Sequence, residues 1–186
     1  MLASGSHDRS VKLWDATSRK LLHTLTGHTD PVLCLAFSAD GKQVAAGAMN
    51  GGVRVWDVAT GAQVSTAGHP RRVCAVAFAP NTGWLATGSH EGNIKLWDLR
   101  LNGPQRLQAT IDVGPEVWSL AYSPDGRVLA AGCQDGVVRF WDARTRQPLG
   151  ERRGHAAAVV ALSYSPGGAR NASGSWDQAA RLWDAP

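Results

Sequence analysis

The dipeptide Trp-Asp recurs along this 186-residue chain at a nearly fixed interval, and that regularity constrains the fold more than any other feature. The pairs in phase are Trp14-Asp15, Trp56-Asp57, Trp97-Asp98, Trp141-Asp142 and Trp183-Asp184, separated by 42, 41, 44 and 42 residues. A sixth pair, Trp176-Asp177, is out of phase. A period of about 40 residues marks one supersecondary unit repeated along the chain, each copy needing its neighbours to bury its apolar surface.

The residues around each pair repeat as well. Two positions before the Trp stands Lys12, Arg54, Lys95, Arg139 or Arg181, flanked on both sides by apolar residues such as Val11 and Leu13 or Val138 and Phe140. This alternation has the period of a β-strand. Upstream lie apolar segments at Val32–Phe37, Val73–Phe78, Val117–Tyr122 and Val159–Tyr164, each running into a turn such as Ser123-Pro124-Asp125-Gly126. A further strand is expected after each turn, over Gln43–Ala48, Trp84–Ser89, Val128–Cys133 and Arg170–Ser175. Short segments after Trp-Asp, such as Lys20–Leu25 and Ala62–Thr66, supply a fourth. Four short antiparallel strands per repeat, with no helical periodicity, describe the blades of an all-β propeller.

Gly27-His28, Gly68-His69 and Gly154-His155 place a histidine 28 residues before Trp56, Trp97 and Trp183. With the phased Trp-Asp pairs, these residues resemble the WD-repeat family over the whole chain. The resemblance implies a hydrogen-bonded tetrad in each blade: the histidine, a Ser or Thr eight residues before the Trp, an acid six before it, and the Trp itself. In the last repeat this set is His155, Ser175, Asp177 and Trp183. In the third it is His69, Ser89, Glu91 and Trp97. The second departs, with His28, Ala48, Asn50 and Trp56. The fourth departs further, with Pro115, Cys133, Asp135 and Trp141. A Ser, a His and an Asp also suggest a hydrolase, but the set recurs with a Trp partner and no nucleophile elbow accompanies it. The expectation is therefore no enzyme, no cofactor and no metal site.

Nineteen Lys and Arg against fifteen Asp and Glu leave a net charge of +4. Five of those cations occupy the framework position before the Trp, where pairing with framework acids is expected, so nucleic acid is disfavoured as a partner. Cys34, Cys74 and Cys133 have neither a metal-ligand nor a disulfide-framework spacing and read as small buried residues. No apolar stretch approaches the length of a membrane span, and a cytoplasmic location is expected, with the nucleus second.

The repeats divide as residues 1–15 (truncated), 16–57, 58–98, 99–142 and 143–184 of a single domain. Residue 1 falls at the second strand of a blade, and the sequence stops before the outermost strand of the last. The expected architecture is thus an incomplete propeller of about 18 strands in five blades, three of them whole. It forms an open arc whose exposed edges favour self-association, as a piece of a longer protein would.

The resemblance also implies a partner-binding face, formed by the loops before the first strand and between the second and third strands of each blade. The residue before the tetrad acid is His7, Met49, His90, Gln134 or Trp176. The second residue of the first strand is Leu33, Cys74, Trp118 or Val160, preceded by Pro31, Arg72, Glu116 or Ala158. Trp118 and Trp176, with Arg72 and His90, lead this set, since aromatic side chains make strong interface anchors. The functional expectation is a protein-interaction scaffold within a larger signalling or regulatory protein. The alternatives are an accessory propeller of an enzyme whose catalytic domain lies elsewhere, and a nucleic-acid-binding propeller.

Overall fold

The computed structural model describes the backbone of all 186 residues and every side chain except that of Gln105. Five antiparallel sheets follow one another along the chain. The first blade holds β1 (Leu2–Gly5), β2 (Val11–Trp14) and β3 (Leu21–Leu25). The second holds β4 (Val32–Phe37), β5 (Gln43–Ala48), β6 (Gly52–Asp57) and β7 (Gln63–Gly68). The third holds β8 (Val73–Phe78), β9 (Trp84–Ser89), β10 (Asn93–Asp98) and β11 (Leu107–Asp112). The fourth holds β12 (Val117–Tyr122), β13 (Val128–Cys133), β14 (Val138–Asp142) and β15 (Pro148–Arg152). The fifth holds β16 (Val159–Tyr164), β17 (Arg170–Ser175) and β18 (Ala180–Asp184). Each sequence repeat ends at its Trp-Asp pair, whereas each sheet takes the next strand as well, so repeat and blade are offset by one strand.

Polar turn residues set the hairpins. In the second blade the Ser38 hydroxyl donates to Asp40 and accepts from the Gln43 amide, while the Asp40 carboxylate accepts from the Lys42 amide. Ser123 and Asp125 repeat this arrangement in the fourth blade. The Asp of the Trp-Asp pair closes the next turn: Asp57 accepts from the Thr60 amide and hydroxyl, and Asp142 does the same with Thr145. Asp98 instead holds Arg100, accepting from its amide at 3.0 Å and from its guanidinium at 2.8 and 2.7 Å.

The core lies between blades rather than within them. Trp56, Val44 and Ala46 of the second blade pack with Val11 and Leu13 of the first. Leu129, Cys133 and Trp141 of the fourth pack with Ala86, Ile94 and Leu96 of the third. The innermost strands carry the stack from β4 to β8 to β12 to β16. Complete burial of a side chain such as Trp56, 1% exposed, contributes roughly 2–3 kcal/mol. The sheets do not close into a ring, and the open edge at β18 leaves Leu182 71% exposed.

Cys133 is fully buried, while Cys34 and Cys74 are half-buried on the innermost strands; all three are free thiols. Burial pushes the Cys34 thiol up to about 12 and the Cys133 thiol up to about 11. Among the described residues no helix is long and apolar enough to cross a membrane, and no group of three or more His, Cys, Asp or Glu could hold a metal ion.

Candidate functional site: the loop face

The loop face rests on the buried tetrads. In the fifth blade, Trp183 Nε1 donates to Ser173 Oγ at 2.7 Å, and His155 Nε2 lies 2.7 Å from the same oxygen. Asp177 closes the chain at 2.9 Å from His155 Nδ1, and also accepts from the Ala156 and Ala179 amides. Those amide bonds, with His155, hold its carboxyl well below the usual carboxylate range. The third blade repeats the chain with Thr87: Trp97 Nε1 donates to its hydroxyl at 2.8 Å and His69 Nε2 lies 2.7 Å away.

The hydroxyl thus stands ten residues before the Trp. This corrects the assignment of Ser175 and Ser89 to the tetrads. Ser175 Oγ donates to the Ala157 carbonyl and accepts from the Asp177 amide, and Ser89 Oγ accepts from the Glu91 amide. Both brace the loop instead. Glu91, one methylene longer than aspartate, directs its oxygens to the Arg71 amide and the Asn93 side chain. His69 Nδ1 is left 4.0 Å from it, buried and without a hydrogen-bond partner.

The second blade has Ala46 at the hydroxyl position, and His28 Nε2 is buried without a partner. In the fourth, Asp135 is engaged by Arg139 in a bidentate pair. Arg139 is the framework cation that meets its acid as expected. Lys95 donates instead to the Gly68 carbonyl, and Arg54 to the Gln63 side chain.

Burial, aided by the Arg54 cation at His28 and the Lys95 cation at His69, depresses both histidines from 6.5 to about 4. They are neutral in the folded protein at neutral pH, whereas the unfolded chain binds protons near pH 6.5. Stability held above pH 6.5 is therefore lost as pH falls toward 4. The expected loss is about 1–2 kcal/mol per histidine after allowance for partial solvent screening. Urea titrations at pH 7 and pH 4.5 measure it, and a His28→Gln/His69→Gln variant should show a flatter pH profile across that window.

Two backbone devices build the face above these tetrads. The amide of the residue before each tetrad acid donates to the carbonyl just before the innermost strand. The pairs are Met49 to Pro31, His90 to Arg72, Gln134 to Glu116 and Trp176 to Ala158. The two loops of each blade are thereby tied side by side. The innermost strand then carries a bulge at its second residue. In β12, Val117 pairs with Cys133 and Ser119 with Gly132, leaving Trp118 outside the ladder. Leu33, Cys74 and Val160 are skipped in the same way. A bulged residue is re-aimed away from its pleat.

Trp118 consequently meets three blades. Its ring lies 4.7 Å from His90 of the third blade and 4.6 Å from Trp176 of the fifth, both edge-on, and the Arg72 guanidinium stands 4.9 Å from its centroid. Glu116 Oε1 is 3.0 Å from His90 Nδ1. Burial first, and then the Arg72 cation, lower the His90 pKa from its ordinary value, against the pull of Glu116. Trp118 Nε1 and His90 Nε2 are buried without hydrogen-bond partners. Trp176 remains 56% exposed, capping the cluster. The residues singled out in the sequence divide accordingly. Arg72, His90, Trp118 and Trp176 come together, with Glu116 as an added member. His7, Met49 and Gln134 stand exposed on the same loops and, among the described residues, make no side-chain hydrogen bond, ion pair or ring contact.

A family model described as the IFT122 first beta-propeller matches residues 1–186. Shorter stretches resemble apoptotic protease-activating factor 1 of Rattus norvegicus, 42% identical over 59 residues, which is 32% of this chain and 5% of that protein. The ribosomal protein RACK1y of Oryza sativa is 43% identical over 60 residues, covering 32% of this chain and 18% of the relative. The F-box-like/WD repeat-containing protein TBL1X of Mus musculus is 55% identical over 42 residues, 23% of this chain and 8% of that protein. The matched stretches thus span a minor part of each of these relatives. With the repeats, the sheets and the tetrads in agreement, the chain belongs to the WD-repeat propellers, in the family of the IFT122 first beta-propeller.

Proposed function

We propose that this chain is a protein-interaction module that holds its partner on the loop face, with Trp176 as the exposed anchor and Trp118 as its support. The observation that carries this reading is the cluster itself. A tryptophan more than half exposed packs edge-on against a second tryptophan that three blades converge to hold. A rigid aromatic anchor loses little conformational freedom on binding, which is what interface hot spots require. WD-repeat propellers are typically scaffolds of this kind.

The test compares partners captured by the wild-type chain with those captured by Trp176→Ala and Met49→Ala. Trp176 is exposed, so its removal should leave the melting curve unchanged while weakening capture by about tenfold or more. Met49→Ala should have little effect. Equal capture by wild type and Trp176→Ala would remove the loop face from the proposal.

A second mode of contact is self-association at the open edge, where the outer side of β18 and the exposed Leu182 offer a template for another strand. The solution mass should rise with concentration, and Leu182→Lys should suppress the rise. A stable monomer at every concentration rules this mode out.

A further inference from the structure

At the opposite ends of the strands, clefts open between successive blades. The cleft between the third and fourth blades differs from the two beside it. It has a volume of about 280 Å³ and is lined by Thr82, Trp84, Tyr122, Ala143, Arg144 and Arg146 among others. Trp84 occupies the first position of its strand, where the other blades carry Gln43, Val128 and Arg170. No acid stands among the lining residues of this cleft, whereas Asp40 and Asp125 line the two beside it.

The charged lining is cationic. Arg144 and Arg146 stand where the equivalent turn of the second blade has Ala59 and Gly61. Their turn is fixed by the Asp142 carboxylate, which accepts from the Arg144 and Thr145 amides, and by the Arg146 amide bonding to the Asp142 carbonyl. Among the described residues neither guanidinium is engaged in an ion pair or hydrogen bond. The acids of the adjoining turns make their hydrogen bonds elsewhere: Asp142 to Thr145 of its turn, bonds that lower its pKa with help from the Arg144 cation, Asp125 to Ser123 and the Arg127 amide, and Asp98 to Arg100. Two cations without a direct ion-pair partner among the described residues thus rim a cleft walled by Trp84 and Tyr122.

We propose that this cleft is a second docking site, for an acidic peptide segment of a partner protein that carries one aromatic side chain. The aromatic group packs against Trp84 and Tyr122, and flanking carboxylates pair with Arg144 and Arg146. Guanidinium groups suit this role because their planar fork matches a carboxylate.

The test uses a fluorescein-labelled Glu-Glu-Phe-Glu-Glu peptide and the 186-residue chain, read by fluorescence polarisation. The peptide should bind, more weakly as salt rises. Arg144→Glu/Arg146→Glu should weaken binding by about tenfold or more without changing the melting curve, since both side chains are exposed. A Glu-Glu-Ala-Glu-Glu peptide should bind several-fold more weakly, and Trp176→Ala should leave the affinity unchanged, separating this cleft from the loop face. Equal binding to the charge-reversed variant, preference for a Lys-Lys-Phe-Lys-Lys peptide or an oligonucleotide, or no binding below millimolar concentration would each overturn the proposal.

Discussion

Gly51→Val is expected to abolish cooperative folding of the chain, at a cost of about 4 kcal/mol or more. Gly51 follows the tetrad-acid position of the second blade, with φ of +86°. A Cβ there would lie 2.0 Å from the His69 carbonyl oxygen and 2.7 Å from that of Arg71. Both are backbone atoms of the loop that begins the third blade, and that loop is tethered to Gly51 through the His69 amide. Relief would mean separating two blades that share a core. Gly92 repeats the arrangement one blade on, its Cβ position 2.1 Å from the Gly114 carbonyl oxygen. Gly41→Ala is the control. Its φ of +70° is equally left-handed, but nothing lies within 4 Å, so only the conformational cost of about 1 kcal/mol applies. Urea unfolding followed by tryptophan fluorescence should give a midpoint for Gly41→Ala slightly below wild type. Gly51→Val should show no native baseline. A folded Gly51→Val variant with a near-normal midpoint would contradict the blade contact described above.

The second large effect is expected at Thr87. Thr87→Val keeps the shape of a fully buried side chain and removes the oxygen that Trp97 and His69 share. Two ring nitrogens then lie in the core without partners. The expected loss is about 2–4 kcal/mol, because the desolvation cost of each is no longer offset. Thr87→Ser retains the oxygen and should recover most of the stability. Ser89→Ala, which loses one hydrogen bond from the Glu91 amide, should cost only about 1 kcal/mol. If Ser89→Ala proves the more damaging of the two, the tetrad is assigned to the wrong hydroxyl.

The same pair of positions marks where reading the sequence stopped short. The Ser or Thr at eight and at ten residues before the Trp differ by two, so both point to the same side of their strand. Counting cannot separate them. Register does: Trp97 lies opposite Leu85, which makes Thr87 its diagonal neighbour and puts Ser89 a further two residues away. The strands themselves were legible because period-two alternation and turn residues are local signals. The innermost and second strands of the four later blades fall where the alternation and turns place them. The outermost strands are less sharply marked, beginning at Leu21 and Gln63 rather than at Lys20 and Ala62. The loop-face cluster was half legible. Trp118, Trp176, Arg72 and His90 could be named from their repeat positions. Their convergence could not, since it depends on the bulge that turns Trp118 across two neighbouring blades. Glu116 was placed beside that position but not matched to His90, because the two lie in different blades.

That bulge has an evolutionary consequence. The backbone ladder bypasses Leu33, Cys74, Trp118 and Val160, so each of the four later blades offers one position whose side chain is free of the pairing that holds the sheet together. Exchange at these four sites rewrites the chemistry of the face while leaving strand register intact. The propeller thereby works as a fixed frame with one interchangeable tile in each of its four later blades, and a library randomised at those tiles would sample new specificities with little loss of foldable members.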